Sequence, residues 1–393
     1  MRRPNWLHVI IVLIFAAGLS GWIAWTVSGK KALVFGLGLL LGLVLMQASY
    51  GFTTHWRRFL VALDGSGIRA QMVMLAVGSL LVLPVLAQGQ ILGHKVAGAI
   101  APAGVSVAVG AFMFGLAMQL ANGCASGTLY ALGGGSTRMM ITLVFFLIGS
   151  LWGSADLPFW YGMPNLGGIS LVHKLGLWAT LVLQLSIFAA IFIATLALER
   201  RCTITSSANA SPAKAERPSL TWRRILSGPW SWMAGGFLLA VLNFAVLAVT
   251  GHMWTISFGY TLWGGKIVQA LGYDLSQVPF WTWPYPKWAL ANSWLAEDTS
   301  LSNLGIIIGA ALATALAGGF SRPVWVGWRG ALGAAIGGLL MGYGARIAFG
   351  CNVGAYFSGI ISGSLHGWQW VVFGLMGTAI GVRLRPFFGL KNP

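Results

Sequence analysis

The sequence predicts an all-α integral membrane protein with two inverted repeats, re-entrant half-helices and about 10 transmembrane spans. Three observations predict this class. Of the 393 residues, 57% are hydrophobic and 8% charged, with a mean hydropathy of +0.79. Apolar runs of about 20 residues recur along the whole chain. Each half also carries a Gly-Cys pair where an apolar run breaks, at residues 123–124 and 350–351.

The composition excludes several classes of protein. So few charged residues cannot cover the surface of a soluble chain of this length. The net charge of +17 is spread over short segments between apolar runs, which indicates membrane anchoring rather than nucleic-acid binding. Three scattered cysteines without a C-x-x-C pair argue against a disulfide framework or a metal site, and no motif points to a cofactor. Seven acidic residues, none deep in a span, make a cation site or carboxylate relay hard to build and favour an anion path.

The spans follow from hydropathy, and their direction follows from charge. We place them at about 8–28, 31–50, 70–88, 103–122, 138–155, 174–198, 230–257, 301–320, 330–349 and 366–385. The first run is long enough to span, so we interpret it as a helix rather than a cleaved signal peptide. With the N-terminus inside, 17 of the 24 basic residues lie inside, six lysines lie outside and Arg346 falls within a span. This predicts a multi-pass protein of the bacterial inner membrane with both termini cytoplasmic.

Self-comparison divides the chain into two halves. An offset of 227 aligns Cys124 with Cys351 and brings four glycines of one segment onto four of the other: Gly110, Gly115, Gly123 and Gly127 onto Gly337, Gly342, Gly350 and Gly354. An N-terminal membrane half would cover 1–198, with its repeat at about 31–155. A polar cytoplasmic linker would occupy 199–228, and the second half, with an insertion near 274–299, would cover 229–393. The extra span at 174–198 makes the second copy start from the opposite side, hence an inverted repeat.

The segments after the two Gly-Cys pairs are too short to cross a membrane and too polar to face lipid. We therefore predict re-entrant half-helices at 125–133 and 352–361. Their first residues, Ala125 and Asn352, would offer free backbone N–H groups to an anion, and Gly123 and Gly350 would let a ligand come close. The alternative is tight helix packing by small residues.

Four side chains are predicted to bind substrate. Cys124 and Cys351 are symmetry-matched thiols at helix N-termini, although a lone buried cysteine is commonly a packing residue. Arg346 is the basic residue inside a span, where charge is expensive and usually functional, and its alternative role is pairing with a carbonyl or helix end. Gln119 takes the matching position in the first repeat.

At these residues the sequence resembles the YeeE/YedE family of sulfur-transport domain proteins. The resemblance rests on GLAMQLANGCASGTLYALGGGSTR (115–138) and GYGARIAFGCNVGAYFSGIISGSLHGW (342–368), supported by YGFTTHWRRF (50–59) and FGYTLWGG (258–265). It implies an hourglass-shaped protein that brings thiosulfate into the cytoplasm through S–H···S contacts with central cysteines, two of which match Cys124 and Cys351. Family members commonly carry a further cysteine, in a pattern like CFTSAFRD, where this chain has Gly51.

Three functions stay open at this point. The first is an inner-membrane transporter for thiosulfate or a similar anion, with a selenium compound or another sulfur oxyanion as alternative cargo. The second is a membrane thiol enzyme or sulfurtransferase, which a missing nearby base disfavours; we therefore expect no enzyme and no catalytic residues. The third is a membrane scaffold. The expected partners are the small anion, the lipid bilayer and a cytoplasmic sulfur carrier or sulfurtransferase, but no nucleic acid. An ATP-binding motif is not found in the sequence.

Overall fold

The chain folds into a bundle of long apolar helices, as a computed structural model describes for residues 4–206, 226–319 and 326–392. Within these residues, ten helices are long and apolar enough to cross a membrane. They run alternately between two faces of the bundle. We call the face where the first helix begins at Trp6 the N-terminal face, and the other the opposite face. The predicted all-α class with about ten spans is confirmed.

The first half contains nine helices and four short strands within residues 4–206. The helices are α1 (Trp6–Thr26), α2 (Gly29–Gln47), α3 (Phe52–Ala62), α4 (Ser66–Gln88), α5 (Val105–Ala121), α6 (Ala125–Gly133), α7 (Thr137–Tyr161), α8 (Leu171–Leu175) and α9 (Leu177–Ser206). At the opposite face β1 (Gln90–Ile91) pairs antiparallel with β2 (His94–Lys95), and β3 (Pro102–Gly104) with β4 (Asn165–Gly168). The helix α3 lies at the N-terminal face, between two spans.

The second half repeats much of this order. Its helices are α10 (Trp232–Thr250), α11 (Ser257–Ala270), α12 (Pro279–Thr282), α13 (Pro284–Ala291), α14 (Asp298–Leu316), α15 (Trp328–Ile347), α16 (Ser358–Ile361) and α17 (Leu365–Leu384). A π-helical turn (Asn352–Phe357) precedes α16, and 3₁₀ turns occupy Trp294–Ala296 and Arg385–Phe388. The insertion forms α12 and α13, and the Trp281 ring packs against Gly265 of α11.

Local sequence explains where several helices begin. Ser28 caps α2 by accepting from the Lys31 backbone N–H, and Ser231 caps α10 in the same way. Glu297 accepts from two backbone N–H groups at the start of α14. These caps satisfy donors that a membrane would otherwise leave unpaired.

The observed spans follow the predicted ones within a few residues at most ends. The largest difference is α9, which continues to Ser206, eight residues beyond the predicted span end at 198. It passes through a charged stretch, and Glu199 there forms an ion pair with Arg69 of α4. The predicted linker at 199–228 therefore begins as helix, and its part at 207–225 lies outside the described residues.

The packing partners of the helices correspond between the two halves. Helix α7 packs on α15 as α17 packs on α5, and α2 packs on α14 as α10 packs on α4. The half-helix α6 touches α14, while α16 touches α4. The sequence repeat likewise relates α5 to α15, and the segment after Cys124 to the segment after Cys351. This packing supports the inverted repeat, which stays a prediction.

The aligned glycines lie at matching helix contacts. A Cβ on Gly110 would meet the Gly344 carbonyl oxygen at 2.7 Å, and one on Gly337 would meet the Ala117 carbonyl oxygen at 2.8 Å. Both contacts join α5 to α15. Gly115 of α5 lies directly against the backbone of α17, and Gly342 of α15 against the backbone of α7. Small residues let membrane helices approach this closely.

Candidate functional site

The two Gly-Cys breaks share one backbone geometry. Asn122 and Phe349, which precede them, both adopt the left-handed conformation with φ of 65° and 57°. The cysteines are extended, with φ and ψ of −91° and −171° at Cys124 and −96° and −167° at Cys351. A left-handed residue ends each span, and each cysteine becomes the residue that begins the next helical segment. The equivalence seen in the sequence therefore extends to the main chain.

The segments that follow the cysteines differ. Residues 125–133 form the α-helix α6, as the sequence predicts. Residues 352–361 were expected to form a similar half-helix, but they form a π-helical turn and then the single α-helical turn α16. A π turn widens the helix, and such turns occur frequently at functional sites.

Both thiols are buried at the centre of the bundle. Cys124 and Cys351 are each 1% exposed, belong to the same core cluster and lie near each other. The Cys124 Sγ lies 3.3 Å from Ser126 Oγ. Backbone N–H groups of Val353 and Gly354 lie near the Cys351 sulfur. Those donors would favour negative charge beside Cys351.

Asn352, beside Cys351, is a buried amide without a partner. It is 1% exposed, and neither Nδ2 nor Oδ1 has a hydrogen-bond partner in the described part of the chain. Burying such a group unpaired costs about 1–3 kcal/mol. A bound polar ligand would supply the missing hydrogen bond.

The other predicted small residues line the same region. Ala125 is fully buried, and its carbonyl oxygen accepts a 2.9 Å hydrogen bond from Tyr260 Oη. A Cβ at Gly123 would lie 3.3 Å from the Met139 sulfur. At Gly350, which has a φ of 156°, a Cβ would lie 2.6 Å from the Ala355 nitrogen. Gly350 is therefore required for the chain to fold back against the π turn.

Arg346 lines a cavity of about 450 Å³ at the opposite face. Its Nη1 lies 3.4 Å from Thr261 Oγ1 and its Cζ lies 5.2 Å from the Phe280 ring centre. Its Nε is buried and has no hydrogen-bond partner in the part of the chain that the structure describes. Among residues 4–206, 226–319 and 326–392, no carboxylate lies within 4.0 Å of the guanidinium. A cation without an ion pair on a cavity wall is suited to receive an anion.

The cavity extends to the segment that holds Cys351. Its walls include Thr255 and Gly354, and a Cβ on Gly354 would meet Thr255 Oγ1 at 2.7 Å. Gly354 is three residues beyond Cys351, and its N–H lies near the thiol. The guanidinium and this thiol thus belong to neighbouring parts of one site.

Gln119 lies apart from this cavity. Its Nε2 donates to the Thr53 carbonyl oxygen at 3.1 Å, its backbone carbonyl accepts from Arg385 at 2.8 Å, and its Oε1 is buried without a partner. These contacts place it near the N-terminal face. The structure brings Cys124, Cys351, Ala125 and Asn352 together, with Arg346 on the cavity side and Gln119 on the other.

Gly51 marks the position of the cysteine that the family resemblance leads one to expect. A Cβ there would lie 3.2 Å from Tyr130 Oη and 3.8 Å from Thr54 Oγ1. Two hydroxyl groups thus surround the place of the absent thiol. Tyr130 belongs to α6, so this position adjoins the half-helix that begins at Cys124.

Sequence reasoning missed the contribution of Tyr260 and Thr255. Tyr260 belongs to the FGYTLWGG segment (258–265), but its hydroxyl reaches across the bundle to α6, over 135 residues of chain. The signal was a polar aromatic residue within that segment. Thr255 precedes that motif and carries no pattern of its own.

The sequence was also compared with protein families and with known proteins. The family model described as sulphur transport matches residues 47–380. A thiosulfate transporter TsuA of Spirochaeta thermophila is 29% identical over 288 residues, which are 68% of this chain and 74% of that protein. The TsuA of Escherichia coli is 25% identical over 88% of this chain and 90% of that protein.

A probable transporter, YedE of Escherichia coli, is 30% identical over 162 residues. That match spans only 40% of this chain and 39% of YedE. The family model, in contrast, covers both Gly-Cys breaks, the cavity residues and most of both halves. The chain therefore belongs to the sulphur-transport family of membrane proteins.

Proposed function

We propose that this protein carries thiosulfate, or a similar sulfur-containing anion, across the bacterial inner membrane into the cytoplasm. The observation that carries the proposal is the Cys351 site, where a buried thiol lies near backbone N–H groups and adjoins the Asn352 amide, which has no partner among the described residues. The similarity to two TsuA proteins, which are named thiosulfate transporters, supports this cargo. Both termini would lie in the cytoplasm, on the N-terminal face.

The route would begin in the cavity that Arg346 lines. A doubly charged anion loses hydration on entering the bundle, and the guanidinium offsets part of that cost. The anion would then pass Gly354 to reach Cys351, where N–H groups and the Asn352 amide can hold its oxygen atoms.

The thiols would contact the terminal sulfur of the anion. A thiol is a weak donor, so each S–H···S contact is weak enough to be exchanged for the next. Because Cys351 and Cys124 lie close together, the anion can leave one as it reaches the other. From Cys124 it would move along α6 towards Tyr130 and Gly51. A selenium analogue could make the same contacts, since its terminal atom is equally soft.

Uptake by proteoliposomes tests this proposal. The protein would be reconstituted, and entry of thiosulfate labelled at its terminal sulfur would be measured for wild type, Cys124→Ala and Cys351→Ala. We expect each variant to lose at least about 90% of the wild-type rate, equivalent to about 1.4 kcal/mol in the barrier.

The chain contains a matched control in Cys202, which belongs to the last turns of α9. Cys202→Ala should transport at the wild-type rate. Full uptake by both central variants would contradict the thiol route, and a wild type that takes up no thiosulfate would contradict the cargo. Turnover of thiosulfate to other sulfur species without net uptake would favour the enzyme alternative.

A further inference from the structure

His252 lies on the wall of the same cavity as Arg346. It belongs to the loop that joins α10 to α11 at the opposite face. Its Nε2 lies 3.3 Å from Asp298 Oδ2, and its Nδ1 lies 3.3 Å from the Met253 carbonyl oxygen. The other oxygen of Asp298 accepts a 2.8 Å hydrogen bond from Lys31 Nζ. The histidine is thus one end of a three-residue chain that joins α2, α14 and the loop.

Charged groups from several elements surround His252. Lys31 of α2 pairs with Asp298, the buried Glu297 accepts from Tyr285 Oη at 2.8 Å, and Arg346 of α15 lines the same cavity. The remaining groups come from β2, where Lys95 is exposed and His94 packs against Gly251. Protonation of His252 therefore adds one positive charge to the cavity wall.

We propose that His252, in its protonated form, is a second cationic determinant of anion binding in this cavity, so that the protein captures a divalent oxyanion more tightly from an acidic exterior. This inference rests on the proposed function in one respect, that the cavity receives the transported anion. His252 would act through its charge rather than by direct contact, because both ring nitrogens already face protein oxygens.

The direction of the pH dependence follows from the environment of the imidazole. Burial opposes its charge, but the hydrogen bond to Asp298 and the charge of that carboxylate outweigh burial and raise the pKa of His252 above its ordinary value of 6.5. The ring is therefore charged below the raised pKa, and anion affinity should fall as pH rises through it. By linkage, anion binding should also take up a proton.

The size of the effect follows from Coulomb's law. One unit charge about 8 Å from a divalent anion, in surroundings close to water in polarity, changes its affinity by about fivefold. Thiosulfate and sulfate both stay fully ionised near neutral pH. Any change in their binding there must therefore come from the protein.

Equilibrium binding to the detergent-solubilised protein tests the inference. Labelled thiosulfate and labelled sulfate would each be measured from about pH 5.5 to about pH 8.5. Wild type should bind about fivefold more weakly at the alkaline end. His252→Gln should show a flat profile at the weaker affinity. Asp298→Asn, which removes the negative charge beside the imidazole, should shift the wild-type profile to lower pH. His173→Gln is the matched control, because His173 lies exposed on α8 at the same face and should leave the profile unchanged.

The results separate this inference from the proposed function. If sulfate binds with the expected pH dependence but thiosulfate is neither bound nor transported, the role of His252 stands and thiosulfate is not the cargo. Any of three results would overturn the inference: a wild-type profile without pH dependence, a His252→Gln profile that matches wild type, or no binding of either anion.

Discussion

At the scale of single residues, the site depends on how the chain turns before each cysteine. Left-handed Asn122 and Phe349 place Cys124 and Cys351 in the same extended conformation at the starts of two short helices. Asparagine adopts this conformation readily, but for phenylalanine it is rare and carries strain. Such strain persists where the surrounding structure enforces it, as the packed core does around Cys351.

Gly350→Ala tests the importance of the turn at the second break. A methyl group there would lie 2.6 Å from the Ala355 nitrogen, so the π turn would have to move. We expect a loss of about 1–3 kcal/mol in the free energy of unfolding and loss of most thiosulfate uptake. Thermal unfolding in detergent and proteoliposome uptake measure the two effects.

Gly18→Ala in α1 is the control for that variant. No atom lies within 4 Å of the position that its Cβ would take. Its stability and uptake should equal those of wild type or exceed them slightly, since alanine favours helix. Equal stability and uptake in Gly350→Ala would show that the turn does not require glycine.

Much of the site could be predicted from single residues, and the missed part has a physical reason. The cysteines, Arg346 and the small residues stand out because each is unusual within an apolar run. Tyr260 and Thr255 do not, because their roles arise from contacts over long stretches of chain, to Ala125 and Gly354 respectively. His252 gains its charge partners only when the loop, α2 and α14 come together.

At the scale of elements, hydropathy predicts the spans and local chemistry decides their ends. A run of apolar residues must be helical in lipid, because only then are its backbone groups paired. The end of α9 was missed because Glu199, in its charged stretch, forms an ion pair with Arg69 on a neighbouring helix. The π turn at 352–357 was missed because nothing in its sequence distinguishes it from an α-helical turn.

The contact between α2 and α14 leads to a prediction about packing. Gly309 of α14 lies directly against the Leu39 carbonyl of α2, and a Cβ would overlap that backbone. Gly309→Ala should therefore force the two helices apart and reduce stability by about 1–3 kcal/mol. Resistance to unfolding by detergent measures this change.

Gly36→Ala on α2 provides the comparison for the packing variant. The position of its Cβ has no atom within 4 Å, although it belongs to the same pair of helices. It should unfold like wild type. If Gly309→Ala were as stable as Gly36→Ala, close approach of backbones would not be what holds α2 to α14.

At the scale of the whole molecule, matching helix contacts place two equivalent breaks at one centre. The cavity with Arg346 and His252 opens at the opposite face, and Gln119, Gly51 and Tyr130 lie towards the N-terminal face. Cations therefore lie on both sides of the thiol pair: Arg346 and His252 line the cavity, and Arg385 donates to the Gln119 carbonyl oxygen on the other side.

The central claim is that paired thiols select an anion by its terminal sulfur. The most direct test is the ratio of thiosulfate to sulfate uptake, because sulfate has the same charge but lacks the terminal sulfur atom. We predict that wild type in proteoliposomes takes up thiosulfate at least about tenfold faster than sulfate, a difference of about 1.4 kcal/mol, and that Cys124→Ala/Cys351→Ala abolishes this preference. A double variant that keeps the wild-type ratio would contradict the account.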